Sequence, residues 1–258
     1  MSKFPTPNIG FDLSGQVALV TGTTSGLGWR FATVLAKAGA KVALTGRRTE
    51  KLEELAKLIR DDGGECATFR LDMTDMDNVI SVVEEAEAAL GTVTILVNNA
   101  GIPDAQRAHK MEQTLIDAVF DTNLRGPYVL SCEVARRLIA AKLPGRMVNI
   151  SSVGGFNYGG GGAALYSITK AGIARMSEVL AVEWARFNIN VNCIAPGAFS
   201  SEMMDGMLSR MGDFTESFPR KRLCDPAQLD STLLYLCAPA SECVTGTIIK
   251  VDDGQGSR

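Results

Sequence analysis

The stretch QVALVTGTTSGLGW, Gln16–Trp29, decides how the chain folds. Its first part, QVALVT (16–21), is an apolar, β-branched run of strand type. Thr21-Gly22-Thr23-Thr24-Ser25-Gly26-Leu27-Gly28 follows, with its glycines spaced G-x-x-x-G-x-G. A helical pattern comes next: in GLGWRFATVLAKAGA, Phe31, Leu35 and Ala38 fall on one face. Strand, glycine turn and helix in that order let the backbone turn tightly and let a pyrophosphate approach amides at a helix N-terminus. The spacing is not the G-x-G-x-x-G of the best-known dinucleotide turn, and a plain strand-to-helix turn also uses glycine. The turn by itself leaves both readings open.

Working outward, the alternation continues. KVALTG (41–46) reads as a second strand, and EKLEELAKLIRDDGG as a charged amphipathic helix closed by glycines. ECATFRLD (65–72) is the third strand, and MDNVISVVEEAEAALG a helix with Val79, Val82, Val83, Ala86 and Leu90 on one side. TILVNNAG (94–101) is a fourth strand with its exit turn, and IDAVFDTNLRGPYVLSCEVARRLIAA a long fourth helix. GRMVNISS (145–152) is strand five, AALYSITKAGIARMSEVLAVEWARF (163–187) a long fifth helix and INVNCIAPG (189–197) strand six. PAQLDSTLLYLCAP makes a late helix and TGTIIKVDDG (245–254) a last strand. Such repetition predicts an α/β fold: a doubly wound, mostly parallel sheet with helices on both faces and ligands at the carboxyl ends of its strands. No linker divides the chain, so 1–258 is expected to be a single domain, with a long irregular insert at 198–224. That insert suits a substrate-facing loop or a pair of short packed helices. Its Met203, Met204, Met207 and Met211 suggest apolar walls or ordinary helix packing.

Composition removes several function classes. A net charge of −3 with no basic or acidic block gives no case for nucleic acid or a membrane surface. No segment approaches the roughly 20 uninterrupted apolar residues of a membrane span. The start, MSKFPTPNIGFDLSG, lacks the apolar core of a signal peptide, which points to the cytoplasm. Six cysteines (Cys66, Cys132, Cys193, Cys224, Cys237, Cys243) lie scattered without a C-x-x-C pair, as free and mostly buried thiols would. Without spaced Cys/His pairs, no metal site is expected. His109 is the only histidine, so a Ser-His-Asp hydrolase would have to use it. It sits in the polar stretch QRAHKMEQ, and no G-x-S-x-G elbow is present.

One constellation carries chemistry. Tyr166 and Lys170 in Y-S-I-T-K share a helix face. A phenol ionises near pH 10, too high for a base near neutrality. An adjacent ammonium would lower that value and let the tyrosine exchange a proton with an alcohol or ketone. A core tyrosine beside a surface lysine would give the same four-residue spacing. Ser151-Ser152 follows the fifth strand at its carboxyl end, where a doubly wound sheet holds its ligand. A hydroxyl there can bond a substrate oxygen.

Together, T-G-x-x-x-G-x-G, N-N-A-G at Asn98–Gly101 and Y-x-x-x-K at Tyr166–Lys170 resemble the short-chain dehydrogenases/reductases. The similarity runs from about Leu13 to Gly254. It implies one Rossmann-like domain with a seven-stranded parallel sheet, a nicotinamide cofactor, a small carbonyl or alcohol substrate and a homo-oligomer, tetramer or dimer. By the same resemblance Ser152 aligns with the catalytic serine, with Ser151 a competitor because fourteen residues separate Ser152 from Tyr166, one more than in many relatives. Asn123 in DTNLRGP matches an asparagine that kinks its helix and holds a water leading from the lysine. The cofactor would lie on Gly22, Thr24, Ser25, Gly26, Leu27 and Gly28, with Asp72 and Met73 at the adenine. Asn98, Ala100 and Gly101 would border it, Tyr166 and Lys170 would hold the ribose, and Pro196, Gly197 and Ser201 would lead to the nicotinamide. V-D-D-G near the end replaces the commoner V-D-G-G at Asp253.

The end of strand two discriminates between cofactors. A carboxylate there bonds a ribose 2′-hydroxyl, whereas arginine accepts a 2′-phosphate. Here the strand exits into Gly46-Arg47-Arg48, which favours NADP(H), with NAD(H) the alternative. Many NADP-binding relatives carry a further basic residue where this chain has Ser25. The expected activity is hydride transfer between a secondary alcohol and a ketone. Its rivals are an NAD-preferring sugar or polyol dehydrogenase and a non-catalytic dinucleotide sensor. Gluconate 5-dehydrogenase-like enzymes and 3-oxoacyl reductases are the nearest in appearance.

Overall fold

A computed structural model of the protein describes residues 7–256. The first strand, β1 (Val17–Thr21), is buried throughout and turns at the glycines into α1 (Gly26–Lys37). β2 (Lys41–Gly46), α2 (Thr49–Asp61), β3 (Cys66–Arg70), α3 (Met76–Leu90) and β4 (Ile95–Asn98) follow in strict alternation. Their counterparts are α4 (Gln113–Phe120), α5 (Gly126–Ala141), β5 (Gly145–Ile150), α6 (Ala164–Trp184) and β6 (Ile189–Pro196). α7 (Glu202–Met211), α8 (Asp230–Cys237) and β7 (Ile248–Val251) complete the described elements.

The strands pair in parallel in the order β3-β2-β1-β4-β5-β6-β7. Chain order reverses between β1 and β4, and that is where a doubly wound sheet opens a crevice. Register brings the carboxyl ends level: Thr21 lies beside Thr45, Asn98 beside Asn149 and Ile150 beside Ile194.

Period-two alternation sends each strand's side chains to two separate cores. Ala18, Val20, Ile95 and Val97 pack with Phe31 and Leu35 of α1, Leu55 of α2 and Leu233 of α8. Val17, Leu19 and Leu96 face the other way, onto Val82 of α3, Leu130 of α5 and Leu180 of α6. Burial on both faces is why the strands read as continuous apolar runs. α2 shows the helical counterpart: Leu52, Leu55, Ala56 and Ile59 are buried while its charges face water.

The fourth helix is not continuous. Between α4 and α5 the backbone widens into a π turn over Asp121–Arg125, a feature common at functional sites. The last strand is shorter than the 245–254 run suggests. Asp252 ends it by accepting hydrogen bonds from the N–H groups of Gly254 (3.1 Å) and Gly256 (2.9 Å). Asp253 then adopts φ 52°, a left-handed conformation glycine holds more easily, and its carboxylate pairs with Arg220 (3.0 Å) and Arg222 (2.8 Å). Within the 198–224 insert lie α7 and a 3₁₀ turn, Thr215–Ser217. Of the free cysteines, Cys66, Cys193, Cys224 and Cys237 are buried, and only Cys243 is exposed.

Candidate active site

A cavity of about 930 Å³ opens over the carboxyl ends of the strands. The glycine turn forms one wall. Gly22 sits at φ +71°, and a Cβ there would lie 3.0 Å from Ala100 Cα. A Cβ on Gly28 would lie 2.2 Å from the Gly22 carbonyl oxygen, so this turn closes only without side chains. Thr24, Ser25, Gly26 and Leu27 line the cavity between them. Ser25 offers α1 no side-chain cap, and no acidic residue stands in its first turn. The helix N-terminus therefore presents amides suited to an anion.

Past β2, Arg47 and Arg48 line the same cavity, as do Asp72 and Met73 beyond β3. Burial works against the Asp72 carboxylate, but hydrogen bonds from Thr74 and the charges of Arg47 and Arg70 hold it below the usual carboxylate range. Uncapped amides, two guanidiniums and a cavity of this size fit a nicotinamide dinucleotide. Ala100, Gly101, Pro196 and Gly197 continue the wall.

Ser152 and Tyr166 both line the far end, where the serine hydroxyl works to lower the pKa of the phenol. Ser152 Oγ also accepts from the Gly154 N–H at 3.1 Å. Ser151 turns inward and donates to the Lys170 carbonyl at 2.7 Å, which leaves Ser152 as the hydroxyl facing the tyrosine. Part of Tyr166 opens on the cavity, but protein surrounds its hydroxyl. That burial raises the phenol above its ordinary pKa, the Ser152 hydroxyl works the other way, and Asp104 adds to the rise.

The sequence had Lys170 lowering that pKa, and here the structure differs. Lys170 lies behind the cavity wall, 4 % exposed, with Nζ 5.6 Å from the centre of the Tyr166 ring. Nζ donates to the Ile150 carbonyl at 2.8 Å, because a buried ammonium needs an acceptor. Desolvation brings the lysine itself down to about 8.

Asn123 is also buried behind the wall. Its Oδ1 accepts from the Ile102 N–H at 2.8 Å, while Nδ2 donates to the Ile102 carbonyl (2.9 Å) and Thr169 Oγ1 (3.3 Å). It thus ties the loop after β4 to α6. A Cβ on Gly101, which lines the cavity, would lie 3.4 Å from both Asn123 Oδ1 and Lys170 Nζ, so both groups lie just behind that glycine.

One placement differs from the expectation. Asn98 does not line the cavity: it is 3 % exposed, and its Nδ2 donates to Ser131 Oγ (2.9 Å) and Asn149 Oδ1 (2.8 Å). As the last residue of β4 it obeys strand alternation, and its neighbour Asn99 reaches the cavity instead. Ser201 does line the cavity, but its hydroxyl caps α7 by accepting from the Met204 N–H at 3.2 Å.

Sequence reasoning missed Asp104, 3 % exposed at the cavity edge. Its Oδ2 accepts from the N–H groups of Leu165 (2.8 Å) and Tyr166 (3.2 Å), capping the helix that carries the tyrosine. The signal available was an aspartate three residues beyond N-N-A-G, in a loop with no periodicity. Met203, Met204, Met207 and Met211 of α7 do line the cavity, with Arg210 and Glu202. His109 is exposed in a 3₁₀ turn and lies outside the cavity lining. No helix among the described residues is long and apolar enough to cross a membrane. They hold no cluster of three or more His, Cys, Asp or Glu able to bind a metal.

Comparison with known proteins agrees with this geometry. The sequence profile of the family described as short chain dehydrogenase matches residues 16–211. The gluconate 5-dehydrogenase of Gluconobacter oxydans is 33% identical over 248 residues, covering 95% of this chain and 96% of its own. The 3-oxoacyl-(acyl-carrier-protein) reductase of Thermotoga maritima is 33% identical over 243 residues, covering 94% and 98%. A gluconate 5-dehydrogenase from Burkholderia cenocepacia, solved in complex with NADP and tartrate, superposes with a TM-score of 0.89 at 31% identity over 96% of this chain and 98% of that one. The chain belongs to the short-chain dehydrogenase/reductase family and is an NAD(P)-dependent oxidoreductase on a Rossmann-like sheet.

Proposed function

We propose that the protein interconverts a secondary alcohol and a ketone, with NADP(H) favoured over NAD(H), within a single catalytic domain. The observation that carries this reading is the Ser152–Tyr166 hydroxyl pair at the β5 end of a cavity whose other end is the glycine turn. The nicotinamide, when bound, supplies or accepts the hydride. The protein's own groups handle the oxygen and its proton. Ser152, already held by the Gly154 N–H, donates to the substrate oxygen and orients it. Tyr166 passes the proton to that oxygen in reduction and takes it in oxidation. Lys170, held near 8 by burial, is poised to exchange its own proton around neutral pH and to restore the tyrosine. Asn123 keeps the loop after β4 and the lysine's helix in place. A positive charge brought beside Tyr166 would lower the phenol from its raised value, so the tyrosine works as a base only in a loaded site.

Arg47 and Arg48 support the 2′-phosphate preference. The relatives' names support a small polyol or acyl carbonyl compound as substrate, and the α7 methionines lining the cavity suit an acyl group. Exposed apolar side chains of α5 and α6, Tyr128, Ile168, Val179 and Val182, support a homo-oligomer. The direct test is Tyr166→Phe, assayed with a panel of ketones and alcohols by absorbance of the reduced cofactor. Turnover is expected to fall at least about 100-fold while NADPH affinity stays within two-fold. A variant turning over at near-native rate would overturn the assignment of Tyr166.

A further inference from the structure

Arg48 is one of two guanidiniums that the reading above assigns to a 2′-phosphate, yet its fork is already engaged. Nη1 donates to Glu202 Oε1 at 3.3 Å and Nη2 to Glu202 Oε2 at 3.1 Å. Nε and Nη2 also donate to Thr24 Oγ1, at 3.2 and 2.9 Å. The partners stand 154 residues apart in sequence. Glu202 opens α7, the helix of the substrate-side insert. A Cβ on Gly26 would lie 3.2 Å from Ser201 Cβ, so the start of α7 sits directly against the turn. Thr24, Ser25, Arg48 and Glu202 all line the one cavity. The ion pair therefore bridges the two sides of the dinucleotide end of the cleft.

We propose that Glu202 is a cofactor-specificity residue: its carboxylate competes with a dinucleotide 2′-phosphate for the Arg48 guanidinium and so narrows the protein's preference for the phosphorylated cofactor. The inference rests on the dinucleotide reading above. An arginine fork in bidentate contact with a carboxylate has no equivalent face left for a phosphate. A 2′-phosphate must therefore displace Glu202 or share the guanidinium with it. In the second case about −1.5 to −2 charges sit beside a carboxylate, as for any phosphomonoester at neutral pH. A plain 2′-hydroxyl makes neither demand, so NADH leaves the clip closed. The pair is well exposed, at 43% for Arg48 and 60% for Glu202, so its weight is that of a surface ion pair. That corresponds to a change of about three-fold in relative affinity.

The test is fluorescence titration of the full chain with NADPH and with NADH, for wild type, Glu202→Gln, Arg48→Gln and the double variant. Glu202→Gln is expected to tighten NADPH about three-fold with NADH unchanged, and the effect should vanish in the Arg48→Gln background. A merely structural role in holding α7 would shift both affinities together, and that result would overturn the proposal. So would an unchanged NADPH-to-NADH ratio, or a shift that persists undiminished without Arg48. Wild type binding neither nucleotide would overturn the dinucleotide reading itself, a failure distinguishable from the others.

Discussion

Lys170→Met separates what a catalytic residue does for turnover from what it costs the fold. Burial holds the ammonium at about 8, against its ordinary 10.5. That difference corresponds to about 3 kcal/mol of preference for the neutral amine, borne by the folded chain wherever the lysine stays protonated. Methionine fills a similar volume without charge. Against this gain, the Ile150 carbonyl loses a donor now 2.8 Å away, a loss of about 1–2 kcal/mol. The variant is therefore expected to be more stable than wild type by about 1–2 kcal/mol at pH 7, or about 4 °C in Tm.

The sign with pH follows from proton binding. Between about 8 and 10.5 the unfolded lysine holds a proton that the folded one has lost, so the wild-type contribution to stability rises with pH through that window. It is complete above the unfolded value and lost as pH falls through the folded one. The variant lacks this rise, so its advantage should be largest below pH 8 and should close by about pH 10. Urea unfolding of both proteins at pH 7 and pH 10 reads the difference, and other titrating groups cancel in it. Turnover should meanwhile fall about 100-fold or more. A variant less stable at pH 7, or a gap unchanged at pH 10, would refute the buried-ammonium argument.

Two further outcomes follow from the same geometry. Gly28→Ala forces a Cβ to within 2.2 Å of the Gly22 carbonyl and 2.4 Å of Asn99 Nδ2, so the turn must open. A loss of about 1–3 kcal/mol in a thermal melt and at least a ten-fold weaker NADPH titration are expected, and a variant retaining both would show that the turn yields more easily. Asp104→Asn keeps an oxygen to cap α6 and removes a charge that raises the Tyr166 phenol. The acid limb of the pH profile for alcohol oxidation should then move to lower pH, because less alkali is needed to ionise the tyrosine; an unmoved limb would show that the carboxylate is not felt there.

What the chain reveals before folding is whatever depends on neighbours in sequence. A strand run such as VALVT is apolar at successive positions because helices cover both faces, and α2 shows its buried stripe at plain helical spacing. The glycine turn, the Tyr166–Lys170 pair and Ser152 are likewise local patterns, and their motif order made the family readable. Boundaries were less legible where a side chain ends an element, as Asp252 does for β7.

Tertiary structure alone decided the properties that depend on environment. Asn98 and Asn99 look equivalent in N-N-A-G, but only alternation at the end of β4 sends one under the sheet and the other to the cavity. The titration of Lys170 and Tyr166 is set by burial, which no spacing encodes. Asp104 became a helix cap, and Glu202 a partner for Arg48, only when the fold brought together segments 61 and 154 residues apart. Sequence periodicity reports which face of an element is buried; the field acting on a charge is the sum over everything packed around it, and that sum exists only in the folded chain.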